Sequence, residues 1–477
     1  MARSVCLHPD YRDAIPSVLE RNGFLTQGDL AAHLLIALST VNNFCRGIRV
    51  SVAKFEQICE ALGLDPHEIM LPKGNIPLSN KADSSTSPKP AFFAYDAFWV
   101  GRESLVTTLT EKLSSNCRLL LLTGLSGIGK TALAERLTAN LQDQKQPHQH
   151  SHYRLLRENF DQKEQSTDFI SFATRLLEGC GQLVALEERT QSSVLIRRLV
   201  THLQTTPTLI LIDSLEQILH GNNEQNQSQF QDDGFVTFFQ ALLASSTCQS
   251  RLIITSQELP SQIVETGSRY QTLWHRQAIK GLSESEQQAL FQQTGFIAGD
   301  PNLVRIGKAY EGHPLALRTI LGEISDTPFF GNVSAYWKRY RSEIEAVEKA
   351  LAAAALGHTT GADDKWQLDR FTRALRRNVQ TRLENTLARL RQDARGAYIL
   401  LCESSVYRCA VPEDWWLSHL EDWEFAAADQ TAALDVLRDR YLVEEVVEAV
   451  TDEPTLLLKQ HNLIRSLSLS HLKMLSI

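Results

Sequence analysis

Paired cysteines are missing from this chain. Its eight cysteines stand at positions 6, 45, 59, 117, 180, 248, 402 and 409 with no CxxC spacing, which argues against a disulfide framework or a zinc ribbon and fits a reducing compartment. A basic-then-apolar leader is missing too, and the longest apolar runs are strand-sized. The pattern therefore reads as a soluble, cytoplasmic protein. Excess positive charge is missing: the formal net charge is −8, so no whole-molecule field draws in nucleic acid or an anionic membrane, and any DNA contact must be local. No repeat with a period of about 20–50 residues is found, so a solenoid or propeller is not supported.

What is present is globular: 43% hydrophobic and 22% charged residues. At roughly 150 residues per domain, 477 residues suggest about three. Residues 1–72 read as all-helical. Residues 73–91, rich in Pro, Ser, Asn and Gly, read as a linker. Over residues 92–275 short apolar runs ("LLLLTG", "TLILID", "RLIITS") alternate with helical patterns, which points to a parallel sheet covered on both faces. Residues 276–356 turn helical, and after the loop-like "GHTTGADD" residues 365–477 add helices and a few short strand-like runs.

The central motif is "GLSGIGKT", Gly124 to Thr131, preceded by the apolar strand Leu119–Leu122 and opening a helix. The spacing Gly124-x4-Gly129-Lys130-Thr131 is a P-loop. Gly124, Gly127 and Gly129 let successive N–H groups curl inward at an anion, and the helix start adds its positive dipole end. Ile128 and Ala132 lie along the same cradle. Lys130 is placed to reach the β- and γ-phosphates and Thr131 to ligate Mg²⁺. A second metal ligand is expected at the tip of a neighbouring strand, and Asp213 after "TLILI" supplies it. The acid that often follows such an Asp is replaced by Ser214, leaving Glu216 as the nearest candidate to activate water, so hydrolysis is expected to be slow. Thr255 and Ser256, ending "RLIITS", are candidate sensors of the γ-phosphate.

These motifs, with three more in order, resemble the NB-ARC branch of the STAND signal-transduction ATPases. "FWVGRE" (Phe98–Glu103) is similar to the family segment that lies along the adenine, which implies nucleotide contacts for Val100, Gly101 and Arg102. "GHPLAL" (Gly312–Leu317) resembles the motif whose proline, here Pro314, packs on the nucleotide. "LLLKQHNLIRSL" (Leu456–Leu467) resembles the winged-helix segment whose histidine, here His461, reaches the ADP β-phosphate. Three departures accompany the likeness: Gln257 stands where an Arg contacts the γ-phosphate, Ser214 replaces the second acid, and Asn462 follows the histidine in place of Asp. The first two imply weaker handling of the γ-phosphate, with ADP contacts kept. The family's C-terminal sensor repeats are expected to be absent or supplied by a partner, because Ile477 lies 16 residues past His461.

At the N-terminus "TQGDLAAHLLIALSTVNNFCRG" (Thr26–Gly47) reads as helix, turn, helix, with Thr26 as N-cap. It resembles the Cro/C1-type (XRE) fold, which implies that Ser39, Thr40, Asn42, Asn43 and Arg46 face DNA. Against that, Leu35 replaces the turn glycine, Leu38 stands where a polar residue would meet DNA, and residues 1–72 hold six Lys/Arg against eight Asp/Glu. DNA binding and protein binding both stay open for this module.

Other signals carry less. His148, His150 and His152 read as a loop entering a strand, "NNEQNQSQFQDD" (Asn222–Asp233) as a mobile polar insertion, and "FTRALRRN" (Phe371–Asn378) as a solvated helix face.

The expected fold is a multidomain α/β chain: an N-terminal all-α helix-turn-helix, a central P-loop NTPase parallel sheet, and C-terminal helical and winged-helix subdomains. The expected function is an ADP/ATP-dependent, Mg²⁺-using switch that controls the N-terminal module as a transcriptional or signalling regulator. It would form nucleotide-dependent oligomers or take a protein partner as its sensor. The alternatives are a signalling ATPase whose N-terminal module binds protein, and a generic P-loop ATPase with Lys130, Asp213 and Glu216 as its catalytic residues.

Overall fold

The computed structural model describes residues 4–48, 50–70, 99–143, 153–161, 166–222, 227–356, 364–448 and 455–475. The His148–His152 cluster and the whole of the expected linker lie outside them. The chain divides into two compact units, Arg102–Lys280 and a second made of Met1–Gly101 with Gly281–Ile477.

Unit Arg102–Lys280 is built on a sheet of five parallel strands: β3 (Leu119–Thr123), β4 (Arg154–Asn159), β5 (Thr208–Asp213), β8 (Arg251–Ser256) and β9 (Trp274–Ala278), in the order β4-β5-β8-β3-β9. Continuous apolar runs make β3, β5 and β8 strands that are buried on both faces. The order corrects one expectation. Asp213 does not end a strand neighbouring β3, because β8 lies between β5 and β3. One face of the sheet is packed by seven phenylalanines, Phe160, Phe169, Phe172, Phe230, Phe235, Phe238 and Phe239, with ring centroids 5.2–6.3 Å apart in the contacting pairs. The polar stretch expected as a loop after β5 instead forms a hairpin, β6 (Leu219–Asn222) with β7 (Gln227–Phe230), where Leu219 pairs with Phe230 and both are buried.

The second unit begins with α1 (Ile15–Arg21), α2 (Gln27–Leu34), α3 (Leu38–Arg46) and α4 (Val52–Leu62). This segment is not all-helical: β1 (Ser4–Val5) pairs antiparallel with β2 (Val50–Ser51). Thr26 caps α2 in a full capping box with Asp29. Leu35 ends α2 at φ 55°, so the left-handed turn that usually takes glycine is made by a leucine whose side chain stays exposed.

After Gly281 the unit is helical. Pro314–Ser325, Val333–Leu356 and Asp364–Asp393 share a buried ion cluster. In it Glu323 meets Arg382 at 2.5 Å and Arg389 at 2.7 Å, and accepts a hydrogen bond from Thr386 at 2.7 Å. The C-terminal part combines helices Arg395–Glu403, Glu413–Glu421, Ala427–Asp439 and Asn462–Leu475 with a small antiparallel sheet. Its strands β10 (Val411–Pro412), β11 (Glu444–Glu448) and β12 (Thr455–Lys459) run in the order β10-β12-β11. Among the described residues no helix is long and apolar enough to cross a membrane.

Candidate functional site

The loop from Gly124 to Gly129 leaves the C-terminal end of β3, and helix Lys130–Asp143 starts directly after it. Gly127 at φ 77° and Gly129 at φ 92° hold left-handed backbone that a side chain would strain. Gly124 N donates to Ser256 O at 3.3 Å, which ties the start of the loop to the tip of β8. Ile128 is buried and packs beside Gly124, while Ala132 is half-buried on the helix. Lys130 is buried, and its ammonium donates to Gly124 O at 3.0 Å and Leu125 O at 2.9 Å.

Three strand ends converge beside this loop. The Thr131 hydroxyl donates to Asp213 Oδ1 at 2.9 Å, and the Thr255 hydroxyl donates to the same oxygen. Thr255 also accepts from Ser214 N at 3.2 Å, where Ser214 turns the chain through φ 62°. The strand inserted between β3 and β5 thus supplies a second hydroxyl to the carboxylate at the end of β5. A hydroxyl and a carboxylate 2.9 Å apart at the start of a phosphate cradle are hard oxygen donors, a set that suits Mg²⁺.

Glu216 lies on the short 3-10 turn Leu215–Ile218. Its carboxylate is held at both oxygens by Gln257, from the backbone N at 3.1 Å and from Nε2 at 2.8 Å. Gln257 therefore engages the candidate acid, a pairing that no sequence spacing announces. A second feature missed in the sequence is Arg276 on β9. Its Nε lies 3.4 Å from the Thr123 hydroxyl at the mouth of the loop, and burial holds its pKa below the usual arginine value.

Arg102 opens this unit in left-handed backbone (φ 65°) and is buried. Its guanidinium donates to Ile128 O at 2.8 Å inside the phosphate loop and to Lys280 O at 2.9 Å.

The structure therefore gathers Arg102, Gly124, Gly127, Ile128, Gly129, Lys130, Thr131, Ala132, Asp213, Glu216 and Thr255 in one unit. Val100, Gly101, Pro314 and His461 belong to the other. There Gly101 (φ 68°) leaves no room for a side chain beside Glu286. Pro314 takes the first turn of its helix while His313, fully buried, caps it by accepting from Ala316 N at 3.3 Å. His461 likewise caps the last helix, its Nδ1 accepting from Leu463 N at 3.1 Å.

The residues assigned to DNA also lie in that unit, and three of them are buried: Ser39, Thr40 and Asn42. Their hydrogen bonds go to Asp439 and Gln293, outside residues 1–72. What they meet is protein, not solvent. Asn43 and Arg46 are half-buried. Among the described residues no group of His, Cys, Asp and Glu is arranged to hold a metal by itself.

Comparison with known proteins gives three results. Residues 99–254 match the AAA ATPase domain. A relative from Nostoc sp., an uncharacterized WD repeat-containing protein, is 27% identical over 335 residues, which is 66% of this chain and 25% of the relative. This chain thus spans about a quarter of the length of that relative. Among solved structures, a STAND protein with a tetratricopeptide repeat sensor from Pyrococcus horikoshii aligns over 78% of this chain and 43% of its own, at 15% identity and TM-score 0.43. The Aeropyrum pernix ORC1 protein in complex with DNA aligns over 79% and 94%, at 13% identity and TM-score 0.31. AMPPCP-bound DnaA from Aquifex aeolicus aligns over 72% and 89%, at 14% identity and TM-score 0.32.

Proposed function

We propose that this P-loop ATPase works as a nucleotide-operated switch of the STAND type. The reading is carried by the convergence of Lys130, Thr131, Asp213 and Thr255 on one phosphate loop, with the candidate acid Glu216 engaged elsewhere. Thr131 and Asp213 would hold Mg²⁺, which neutralises phosphate charge. Val100, Gly101 and Arg102 would line the adenine. In the resting state Pro314 and His461, from the helical lid (276–356) and the winged-helix subdomain (365–477), would close over ADP.

Exchange of ADP for ATP changes the contact at His461, and only such differential contacts move the equilibrium between two states. Hydrolysis is slow in this reading, so ATP occupancy is a signal rather than a fuel supply. The output is the helix-turn-helix module of residues 1–72, with duplex DNA as its target and gene regulation as its consequence. The burial of Ser39, Thr40 and Asn42 against protein favours a second reading, in which the module recruits a protein partner.

Denaturing freshly purified protein and identifying the released nucleotide tests the switch. Near-stoichiometric ADP is the expected result. A preparation that holds no nucleotide and turns ATP over rapidly would replace the switch with a cycling enzyme.

A further inference from the structure

Five residues on the outer face of α3 and the start of α4 act as hydrogen-bond donors. Ser39 and Thr40 offer hydroxyls, Asn42 an amide, Arg46 a guanidinium and Lys54 an ammonium. Their acceptors are two carboxylates and a main-chain carbonyl. Asp439 takes hydrogen bonds from Ser39 at 3.0 Å, Thr40 at 2.7 Å and Lys54 at 3.0 Å. Asp435 lies 3.9 Å from the same ammonium. The Gln293 carbonyl accepts from Asn42 at 2.9 Å and from Arg46 at 3.0 Å.

The fit is built rather than incidental. Ser39, Thr40, Asp435 and Asp439 are all buried. Leu38 fills the space beside Gly331, where an added Cβ would come within 2.7 Å of it. Ala37 gives the first turn of α3 no side-chain cap, and the Asp439 carboxylate bonds the two hydroxyls of that turn. Negative charge is favoured there by the helix dipole.

A carboxylate held by two hydroxyls and an ammonium at a helix start has the surroundings of a backbone phosphate at a DNA-reading helix. We propose that the donor face of α3 is a duplex-DNA surface, and that Asp435 and Asp439 on helix Ala427–Asp439 occupy it as an internal substitute for phosphate, keeping DNA off. This rests on the reading of residues 1–72 as a nucleic-acid module. It also accounts for the low positive charge of that module. A face with few cations needs only the two carboxylates Asp435 and Asp439 to be neutralised.

The test uses the full chain and a fluorescent duplex pool of random sequence, read by anisotropy at low and high salt, with hydrogen exchange of residues 38–46 followed in parallel. Wild type is compared with Asp439→Lys, which repels Lys54, with the milder Asp435→Asn/Asp439→Asn, and with each after adding Lys54→Glu. The expected result is at least a tenfold gain in DNA affinity for the Asp variants. That gain should be lost with salt and with Lys54→Glu, and exchange should be faster over 38–46.

Wild type binding DNA as tightly as the variants would overturn the masking and leave the DNA reading standing. Faster exchange without DNA binding would overturn the DNA surface, leaving a protein-docking module and an intact nucleotide switch. Unchanged exchange and no DNA binding in Asp439→Lys would show that these carboxylates do not hold the face, and the proposal falls.

Discussion

Lys130 illustrates how far single residues could be read. Its place in the eight-residue motif announces a phosphate contact, because strand, glycines, lysine and hydroxyl must occur together for the loop to work. The motif does not announce that the ammonium is held by carbonyls of its own loop, from which a nucleotide must draw it. Replacing it with alanine removes a charged hydrogen-bond donor worth about 1.5–3 kcal/mol. Lys130→Ala should therefore weaken ATP binding roughly 10- to 150-fold in calorimetric titration. The Glu216–Gln257 pair could not be read, since the partners are 41 residues apart and meet only through the strand order. The capping by Thr26 and the first-turn position of Pro314 were legible, because both depend only on chemistry within one helical turn.

At the scale of elements, β3, β5 and β8 were legible as uninterrupted apolar runs, but their order was not. Sequence gives strands one at a time, and lateral neighbours are a property of the packed sheet. The β6–β7 pair was misread because its composition is polar, while Leu219 and Phe230, which pair across it, are buried. The phenylalanine cluster went unnoticed for a similar reason, its members being spread over several elements. Phe172 is fully buried within it. Phe172→Ala should cost about 3–5 kcal/mol in urea unfolding.

The buried cluster of Glu323 makes a pH-dependent contribution. Burial alone would raise its pKa, but Arg382 and Arg389 outweigh that and hold it below the usual carboxylate value. A lowered native pKa stabilises the fold above the unfolded value of about 4.3, and the benefit disappears as pH falls through the native value. Asp326 and Asp435, raised by burial, act in the opposite sense. The measure is thus the difference between wild type and Glu323→Gln. Wild type should be the more stable at pH 7, and the gap should close below about pH 4.3.

At the scale of the whole chain, the inserted unit 102–280 lies close to the stretch 92–275 set apart in the sequence, but the joining of the two chain ends into one unit was not legible. One unit is assembled from both ends of the sequence and the other is inserted between them. Sequence reading divides a chain into consecutive stretches, and only packing reveals that the first 101 residues and the last 197 form one body. A ligand that binds only the native fold stabilises it by mass action. ADP at a hundred times its dissociation constant should add about 2.7 kcal/mol and raise the melting temperature of the nucleotide unit in a thermal scan. A second transition that stayed fixed in the same scan would mark the other body melting by itself.

An inserted body is attached by two covalent joints, here Gly101–Arg102 and Lys280–Gly281. The Arg102 side chain fastens one to the other through the Lys280 carbonyl while its same Nη2 grips Ile128 in the phosphate loop. The guanidinium is thus a buckle on a two-stranded strap. Any rearrangement of the loop that moved Ile128 would thus load the Arg102 and Lys280 joints together.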